Sequence, residues 1–290
     1  MPFRSKLLLT VLCGSVALAV GPQFLAVPTS TEVLALGRTP VAGESGETNP
    51  ALIPGDGQAP TVLLSSGTWL AGVRTSRLAL GFSRTPTAWL TQIRTVSLDR
   101  LELRTERPTD QPIARYGAYG LEVRETWSRR TGPWSWGATL SAIWMQLYEA
   151  SSTGAALDLG ITHDFSSNLT WGLSLLHVGR AAPLGRSELA LPTEGLVGLG
   201  YRWPSQSIQN RVLVGLGWIS QPGQLTVSLG NDLHWKALHL YLGSQASPEV
   251  ASVSGGFRYD TGRFSLRYAF QVGSQGLGVP QYIELSTRLP

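Results

Sequence analysis

Three consecutive segments between residues 134 and 179 alternate apolar and polar residues with a period of two. In the first segment the apolar residues occupy the even positions: Trp134, Trp136, Ala138, Leu140, Ala142 and Trp144. This period is typical of β-strands with one apolar and one polar face. The segments are about 10–15 residues long, and a tilted strand needs roughly 9–11 residues to cross a bilayer. The pattern therefore predicts an all-β fold, a transmembrane antiparallel β-barrel of the outer-membrane kind.

The same pattern recurs along the chain and predicts about 14 strands, an even number, as closed single-chain bacterial barrels require. The candidate strands are 60–68, 75–83, 88–98, 116–129, 134–148, 155–165, 169–179, 194–203, 211–219, 225–235, 238–244, 252–260, 263–272 and 281–289. In the third candidate the apolar pattern slips between Val96 and Leu101, which predicts a β-bulge.

The predicted connections alternate between short and longer ones, and barrels of this kind have short periplasmic turns. This counting places both termini on the periplasmic side of an outer membrane. Six tryptophans fall at strand ends on that side: Trp127, Trp134, Trp136, Trp171, Trp203 and Trp235. They predict an aromatic girdle at the membrane interface, in contact with outer-membrane lipids. The alternative is that they form the core of a soluble β-sandwich.

The composition favours a membrane-facing fold and disfavours a nucleic-acid partner. Charged residues make up 14% of the chain, against roughly 25% in soluble domains. The formal net charge is +4, and the arginines are spread along the chain. Nucleic-acid binders instead carry a basic stripe or patch, so we expect no nucleic-acid partner for this chain.

The N-terminus has the form of a secretory signal over residues 1–19. It combines basic Arg4 and Lys6, an apolar run and an Ala-Leu-Ala cleavage site at 17–19. The only cysteine, Cys13, lies within it, so we expect no disulfide in the mature chain. Residues 20–58 are poorly periodic and predict an N-terminal hatch or plug segment, inside the barrel or across its periplasmic mouth. The barrel itself is predicted over 59–290.

Several stretches resemble the PorV/PorQ group of FadL-like outer-membrane barrels, which serve type IX secretion. They are FLAVPTSTEVLALG (24–37), ETNPALIP (47–54), GATLSAIWMQLYEASSTGAALDLGITH (137–163), LTWGLSLLHVG (169–179), LPTEGLVGLGYR (191–202) and FSLRYAFQVGSQGLGVPQYIELSTRL (264–289). The resemblance implies a non-catalytic accessory that binds or presents secreted cargo at the cell surface. Its implied partners are the type IX translocon and the secreted cargo proteins.

The resemblance also implies that Asn49, Pro50 and Ala51 are the hatch motif of that family. The alternative is that Asn49-Pro50 is only a turn. Two positions depart from the family pattern: Glu32 stands where an arginine is usual, and Arg38 follows Gly37 where a second glycine is usual. These departures bear on the partner-binding role more than on the fold.

No constellation of residues indicates catalysis, a metal site or a cofactor. Ser228, Asp232 and His234 share one strand face, but a hydrolase would need a nucleophile turn that is missing here. His163 and His177 fall on apolar faces, and no His/Asp/Glu cluster has ligand spacing. The sequence therefore predicts a protein that is not an enzyme.

Five inward positions near the outer end of two strands are apolar, although porin lumens are polar. They are Ile143, Met145, Leu147, Leu176 and Val178. One hypothesis is a hydrophobic pocket for a lipid-like ligand or an apolar element of a partner. The alternative is packing against outer loops or the N-terminal segment, and a bulge would reverse the assignment. The pocket and the hatch together favour the second functional hypothesis, a FadL-like channel for hydrophobic small molecules.

Overall fold

A computed structural model describes residues 21–39, 41, 46–53, 60–104, 110–203 and 208–289. The predicted signal, residues 1–19, lies outside these ranges. The described strands form a closed antiparallel barrel in which each strand pairs with its sequence neighbours and β1 pairs with β14. This confirms the predicted fold class and the strand number. Closure leaves no strand of the barrel with an unpaired edge.

The fourteen strands lie close to the predicted ranges. They are β1 (Thr61–Thr68), β2 (Arg74–Arg84), β3 (Thr87–Leu103), β4 (Ala114–Thr131), β5 (Trp134–Leu147), β6 (Ala150–Asp164), β7 (Leu169–Ala181), β8 (Glu194–Trp203), β9 (Gln209–Ile219), β10 (Gln224–Trp235), β11 (Leu238–Ala246), β12 (Ala251–Thr261), β13 (Phe264–Gly273) and β14 (Gln281–Arg288). One short α-helix, α1 (Thr31–Ala35), and two 3₁₀ turns, Pro22–Ala26 and Leu70–Gly72, complete the described secondary structure. No helix of the described residues is long and apolar enough to cross a membrane.

The two faces of the wall differ in chemistry as the period of two predicts. Outward side chains such as Leu140, Leu216 and Leu242 are more than half exposed. Inward side chains such as Arg94 and Glu122 are buried. An apolar exterior around a polar interior is the pattern of a barrel whose solvent outside is lipid.

The barrel has two unlike ends. At one end, which we call the aromatic rim, lie the short turns of the β2–β3, β4–β5 and β6–β7 hairpins, together with the start of β1 and the end of β14. All six predicted girdle tryptophans lie at this rim. Trp89, which the sequence reasoning missed, joins them: its ring lies 6.2 Å from that of Trp127, which in turn lies 4.7 Å from that of Trp136. Contact of this girdle with lipid stays a prediction.

At the opposite end, the loop rim, lie the longer connections 182–193 and 274–280, together with the end of β3 and the start of β4. The outward aromatic residues Trp144, Trp218 and Tyr148 lie near it. The barrel thus carries aromatic side chains towards both ends of its apolar band, an arrangement typical of membrane barrels.

Two irregularities shift the register of the wall. The first, between Leu98 and Leu101 of β3, confirms the predicted bulge. The second, which the sequence did not reveal, lies between β6 and β7 at Leu157 and Leu159. There Leu176 and His177 together stand opposite Asp158, so two residues of β7 face one residue of β6.

The second bulge corrects two predictions. Leu176 and His177 are both buried, so His177 is not on the apolar outer face as predicted. Beyond the bulge the alternation is reversed, and Val178 is 41% exposed on the outside of the barrel. The placement of Val178 in an inward pocket was therefore wrong. The carboxylate of Asp158 accepts a hydrogen bond of 2.6 Å from the backbone N–H of His177, which holds the bulge in place.

We expect charge on the outer face to destabilise the barrel according to depth. Leu140, at the middle of β5, is 68% exposed. Leu140→Arg should lower the free energy of unfolding by roughly 2–4 kcal/mol, the cost of an arginine at the bilayer midplane. The matched change at an exposed strand end, Ser151→Arg, should cost about 0–1 kcal/mol. Urea unfolding in lipid vesicles, followed by tryptophan fluorescence, measures both; equal losses would contradict a lipid-facing band.

Candidate functional site in the lumen

The lumen wall carries buried charges that are paired with one another. Arg77 of β2 donates to Glu284 of β14 across 2.9 Å, and Arg124 of β4 donates to Asp158 of β6 across 2.7 Å. Glu284 also pairs with Arg267 of β13, and Arg94 of β3 pairs with Glu122 of β4. Because a buried charge without a partner costs several kcal/mol, these pairs make the lumen wall a fixed electrostatic surface. They occupy the middle of the barrel, where a porin would carry water.

The same charges hold the described part of the N-terminal segment, residues 21–39, 41 and 46–53, inside the barrel. The guanidinium of Arg94 donates to the carbonyl oxygens of Leu25 at 2.8 Å and Val27 at 3.3 Å. From the segment itself, Arg38 reaches the wall and forms an ion pair of 2.9 Å with Glu194 of β8. These contacts come from β3 and β8, which are well separated in the closed wall, so the segment extends across the lumen.

Within the segment, Glu47 ties two stretches of chain together. Its carboxylate accepts hydrogen bonds from the backbone N–H groups of Thr29 at 2.8 Å and Ser30 at 3.0 Å. It also lies 3.7 Å from the guanidinium of Arg77 on the wall. A single carboxylate therefore joins the backbone just before α1 to the barrel.

Asn49-Pro50-Ala51 is both a turn and a docking element. The backbone N–H of Ala51 donates to Oδ1 of Asn49 at 3.0 Å, and the N–H of Leu52 donates to the carbonyl oxygen of Asn49 at 3.0 Å. The side-chain amide of Asn49 donates to the carbonyl oxygens of Ile161 and Leu173, both at 3.3 Å. The turn alternative is therefore correct for the local backbone, and the wall contacts add a role that a turn alone does not require.

Three inward glycines, Gly137, Gly160 and Gly172 on β5, β6 and β7, form the surface on which this turn sits. A Cβ atom on Gly137 would clash with the backbone of Pro50, and one on Gly160 would clash with Oδ1 of Asn49. Because these glycines have no side chains, the backbone of the turn can approach the wall closely.

The predicted apolar pocket exists as a surface but is filled. Ile143 and Met145 face the lumen and are fully buried, in a cluster at the loop-rim end that we call the loop-rim cluster. Its members are Phe24, Leu25, Val73, Val96, Leu98, Ile143, Met145, Ala156 and Leu191. Phe24 and Leu25 come from the N-terminal segment and Leu191 from the 182–193 connection. The alternative in which loops and the N-terminal segment pack there is therefore the observed arrangement.

The remaining predicted pocket residues contribute less. Leu176 is buried on the lumen side but lies outside the loop-rim cluster. Leu147 is half-buried at the end of β5 and is likewise outside it. The sequence did not identify Phe24 as a member of this cluster. Its ring packs against Gly120 so closely that a Cβ atom on this glycine would lie 2.8 Å from it. The only signal for it was an apolar Phe-Leu pair at the start of a poorly periodic segment.

The other end of the lumen is open and polar. A vestibule of about 860 Å³ lies at the aromatic rim, lined by many serine, threonine and arginine residues as well as Ile53 and Pro86. A smaller cavity of about 170 Å³ adjoins it, lined by residues of β8 to β12 and by Glu32 of α1. The two ends of the lumen therefore offer different chemistry, apolar and occupied at the loop rim, polar and accessible at the aromatic rim.

The histidines form no catalytic set. Asp232 accepts a hydrogen bond of 3.0 Å from Nδ1 of His239, on the neighbouring strand, and Nε2 of His234 lies 2.6 Å from the carbonyl oxygen of Lys236. Ser228, Asp232 and His234, which the sequence analysis set aside as a hydrolase triad, do not form one in the structure. Among the described residues, no group of three or more His, Cys, Asp or Glu side chains is placed to hold a metal ion.

The chain matches no protein-family profile and no curated protein. Its structure is similar to that of the toluene transporter TodX of P. putida, with a TM-score of 0.66 and 12% identity over 90% of this chain and 98% of that chain. It is also similar to the monoaromatic hydrocarbon channel CymD, with a TM-score of 0.61 and 12% identity over 94% of this chain and 98% of that chain. The fold is an outer-membrane β-barrel. At these identities the similarity concerns the fold.

Gly160→Ala should displace the Asn49-Pro50-Ala51 turn, because the added methyl group would occupy the position of Oδ1 of Asn49. Thr48 is 2% exposed, so a cysteine placed there in a mature chain without Cys13 reports on the docking of the segment. We expect maleimide labelling of this cysteine to speed up in the Gly160→Ala background.

Gly195→Ala is the matched control, since a Cβ atom at that position meets nothing within 4 Å. It should leave labelling unchanged. Equal labelling in the two backgrounds would show that the turn does not depend on the glycine surface.

Proposed function

We propose that this protein is a channel that admits small hydrophobic molecules across the outer membrane, with the N-terminal segment as its hatch. The observation that supports this most is the loop-rim cluster, an apolar site inside a lumen whose middle is charged. A general aqueous pore has no use for such a site. The proposed activity is binding and passage, without chemical conversion.

Among the described residues, the lumen near the loop rim is filled by Phe24 and its neighbours. Phe24 packs against Gly120 and under the guanidinium of Arg94, whose carbon lies 5.9 Å from the ring centroid. The free space beside Phe24, Val96 and Leu98 is about 10 Å³, no more than about one water molecule needs. A solute therefore has to displace the Phe24 side chain, and the slot it leaves is suited to one aromatic ring.

The similar structures support the same class of solute. TodX is described as a toluene transporter and CymD as a monoaromatic hydrocarbon channel. Both solute classes match the size and apolar character of the Phe24 slot. We therefore propose neutral, ring-sized hydrophobic molecules as solutes that enter at the loop rim.

The type IX accessory role remains a second proposal and rests on the sequence resemblance alone. It predicts that the tagged protein, extracted gently from outer membranes, brings down a large translocon barrel or secreted proteins that share one C-terminal domain. Recovery of the barrel with bound hydrophobic solute and neither of those would favour the channel.

Phe24→Ala should increase the entry of toluene into proteoliposomes. Truncation of a buried phenylalanine removes roughly 3–5 kcal/mol of packing, which weakens the docking of the segment and opens an apolar cavity of the kind that binds benzene-sized ligands. The matched control is Phe82→Ala on the outer face, where the side chain is 46% exposed. Unchanged toluene entry with Phe24→Ala, in a barrel that still folds, would rule out the Phe24 slot as the entry site.

A further inference from the structure

Two arginines stand directly opposite each other at the aromatic rim. Arg202 of β8 and Arg211 of β9 are register partners, and both line the vestibule and the adjoining smaller cavity. Like charges directly opposite on neighbouring strands destabilise a sheet. Among the described residues neither guanidinium has a carboxylate within ion-pair distance, although Arg211 donates to the carbonyl oxygen of Val41 at 2.5 Å. The two guanidinium groups therefore repel each other, and no carboxylate among the described residues forms an ion pair with either of them.

A buried tyrosine is a second indication of a ligand in the smaller cavity. Tyr241 of β11 lines the smaller cavity and is 3% exposed. Its hydroxyl group makes no hydrogen bond to any described residue. An unsatisfied buried hydroxyl group costs free energy that a bound acceptor would recover. Asp232 lies between the two features, as the register partner of both Arg211 and Tyr241.

The neighbouring acidic groups are engaged elsewhere. Asp232 accepts from His239 at 3.0 Å, and Asp260 accepts from Nε of Arg258 at 2.9 Å. Glu32 of α1 and three arginines, Arg202, Arg211 and Arg258, also line the cavity. Because Arg258 is paired with Asp260, the guanidinium groups of Arg202 and Arg211 remain for a ligand, together with the hydroxyl group of Tyr241.

We propose that Arg202, Arg211 and Tyr241 form a binding site for an oxyanion, the carboxylate or phosphate group of a small molecule. Guanidinium groups match the planar oxygen pair of a carboxylate and the oxygens of a phosphate, and an anion between them removes their mutual repulsion. The cavity of about 170 Å³ holds the charged group, and the remainder of the molecule extends into the vestibule of about 860 Å³. This site is separate from the Phe24 slot and lies at the opposite end of the lumen.

The site is tested by calorimetric titration of the mature protein in a neutral detergent, at low ionic strength, with sodium benzoate and separately with inorganic phosphate. Arg202→Gln and Arg211→Gln should each weaken binding roughly tenfold or more, the effect of losing a charge-assisted hydrogen bond. Tyr241→Phe keeps the ring and should weaken binding several-fold. Arg84→Gln, an exposed arginine at the same rim, is the matched control and should bind as the unchanged protein does.

Thermal unfolding without ligand separates binding from a structural role. Because Arg202→Gln removes one member of a like-charge pair, this variant should unfold at the same or a higher temperature than the unchanged protein. Arg211→Gln removes the same repulsion but also loses the hydrogen bond to Val41, so its unfolding temperature should change less or fall slightly. In the unchanged protein the bound anion should raise the unfolding temperature, and in these variants it should not.

The two probes also identify the source of the anion. Binding of benzoate alone supports a carboxylate on an apolar solute, and binding of phosphate alone supports a free inorganic anion. Absence of binding for both, equal binding in the arginine variants, or loss of barrel stability in both variants would overturn the site. Since no transport is measured, these results do not depend on whether the barrel is a channel.

Discussion

The buried ion pairs of the lumen are the constraint on which the rest of the structure depends. A barrel whose inward face carries Arg77, Arg94 and Arg124 has to neutralise them in a space from which lipid and most water are excluded. Glu284, Glu122 and Asp158 supply the charge. Arg94 then has donors left for the backbone carbonyls of Leu25 and Val27. The N-terminal segment, which has little secondary structure of its own, satisfies part of its backbone on the wall in this way.

This mutual dependence also explains why the lumen has two unlike ends. The buried ion pairs of the wall anchor the N-terminal segment near the middle of the lumen. Its first described residues reach the loop rim, and its Asn49-Pro50-Ala51 turn sits on the glycines of β5, β6 and β7. The apolar Phe24 fills the loop-rim end, and open polar space remains at the aromatic rim. A hydrophobic solute that passed from the loop rim to the aromatic rim would move from an apolar site to a polar, water-accessible one. That order suits release into water.

Features of the fold that depend on residues close in sequence could be predicted. Features that depend on contacts between distant residues could not. Strand number, strand faces and the bulge after Val96 follow from a local period of two. Val178 was misplaced because its register is set by a hydrogen bond between His177 and Asp158, which are 19 residues apart. The sequence left open whether the pocket around Met145 is empty or filled, because nothing in its own strand shows that Phe24 packs there. Likewise Asp232 pairs with His239 on the next strand and not with His234 on its own.

The way the segment is held makes its release compatible with an intact barrel. The strand ladder closes through β1 and β14, so no ladder hydrogen bond of the wall involves the described residues of the segment, 21–39, 41 and 46–53. The segment is attached by side-chain contacts, those of Arg94, Glu194 and Asn49 among them, and by the packing of Phe24. Each such contact is modest in net free energy, and water can replace the polar ones if the lumen hydrates. The wall charges would still be paired with one another after release, because Arg77, Arg94 and Arg124 each have a wall carboxylate. Release of the segment would therefore break its docking contacts and leave the paired charges of the wall in place.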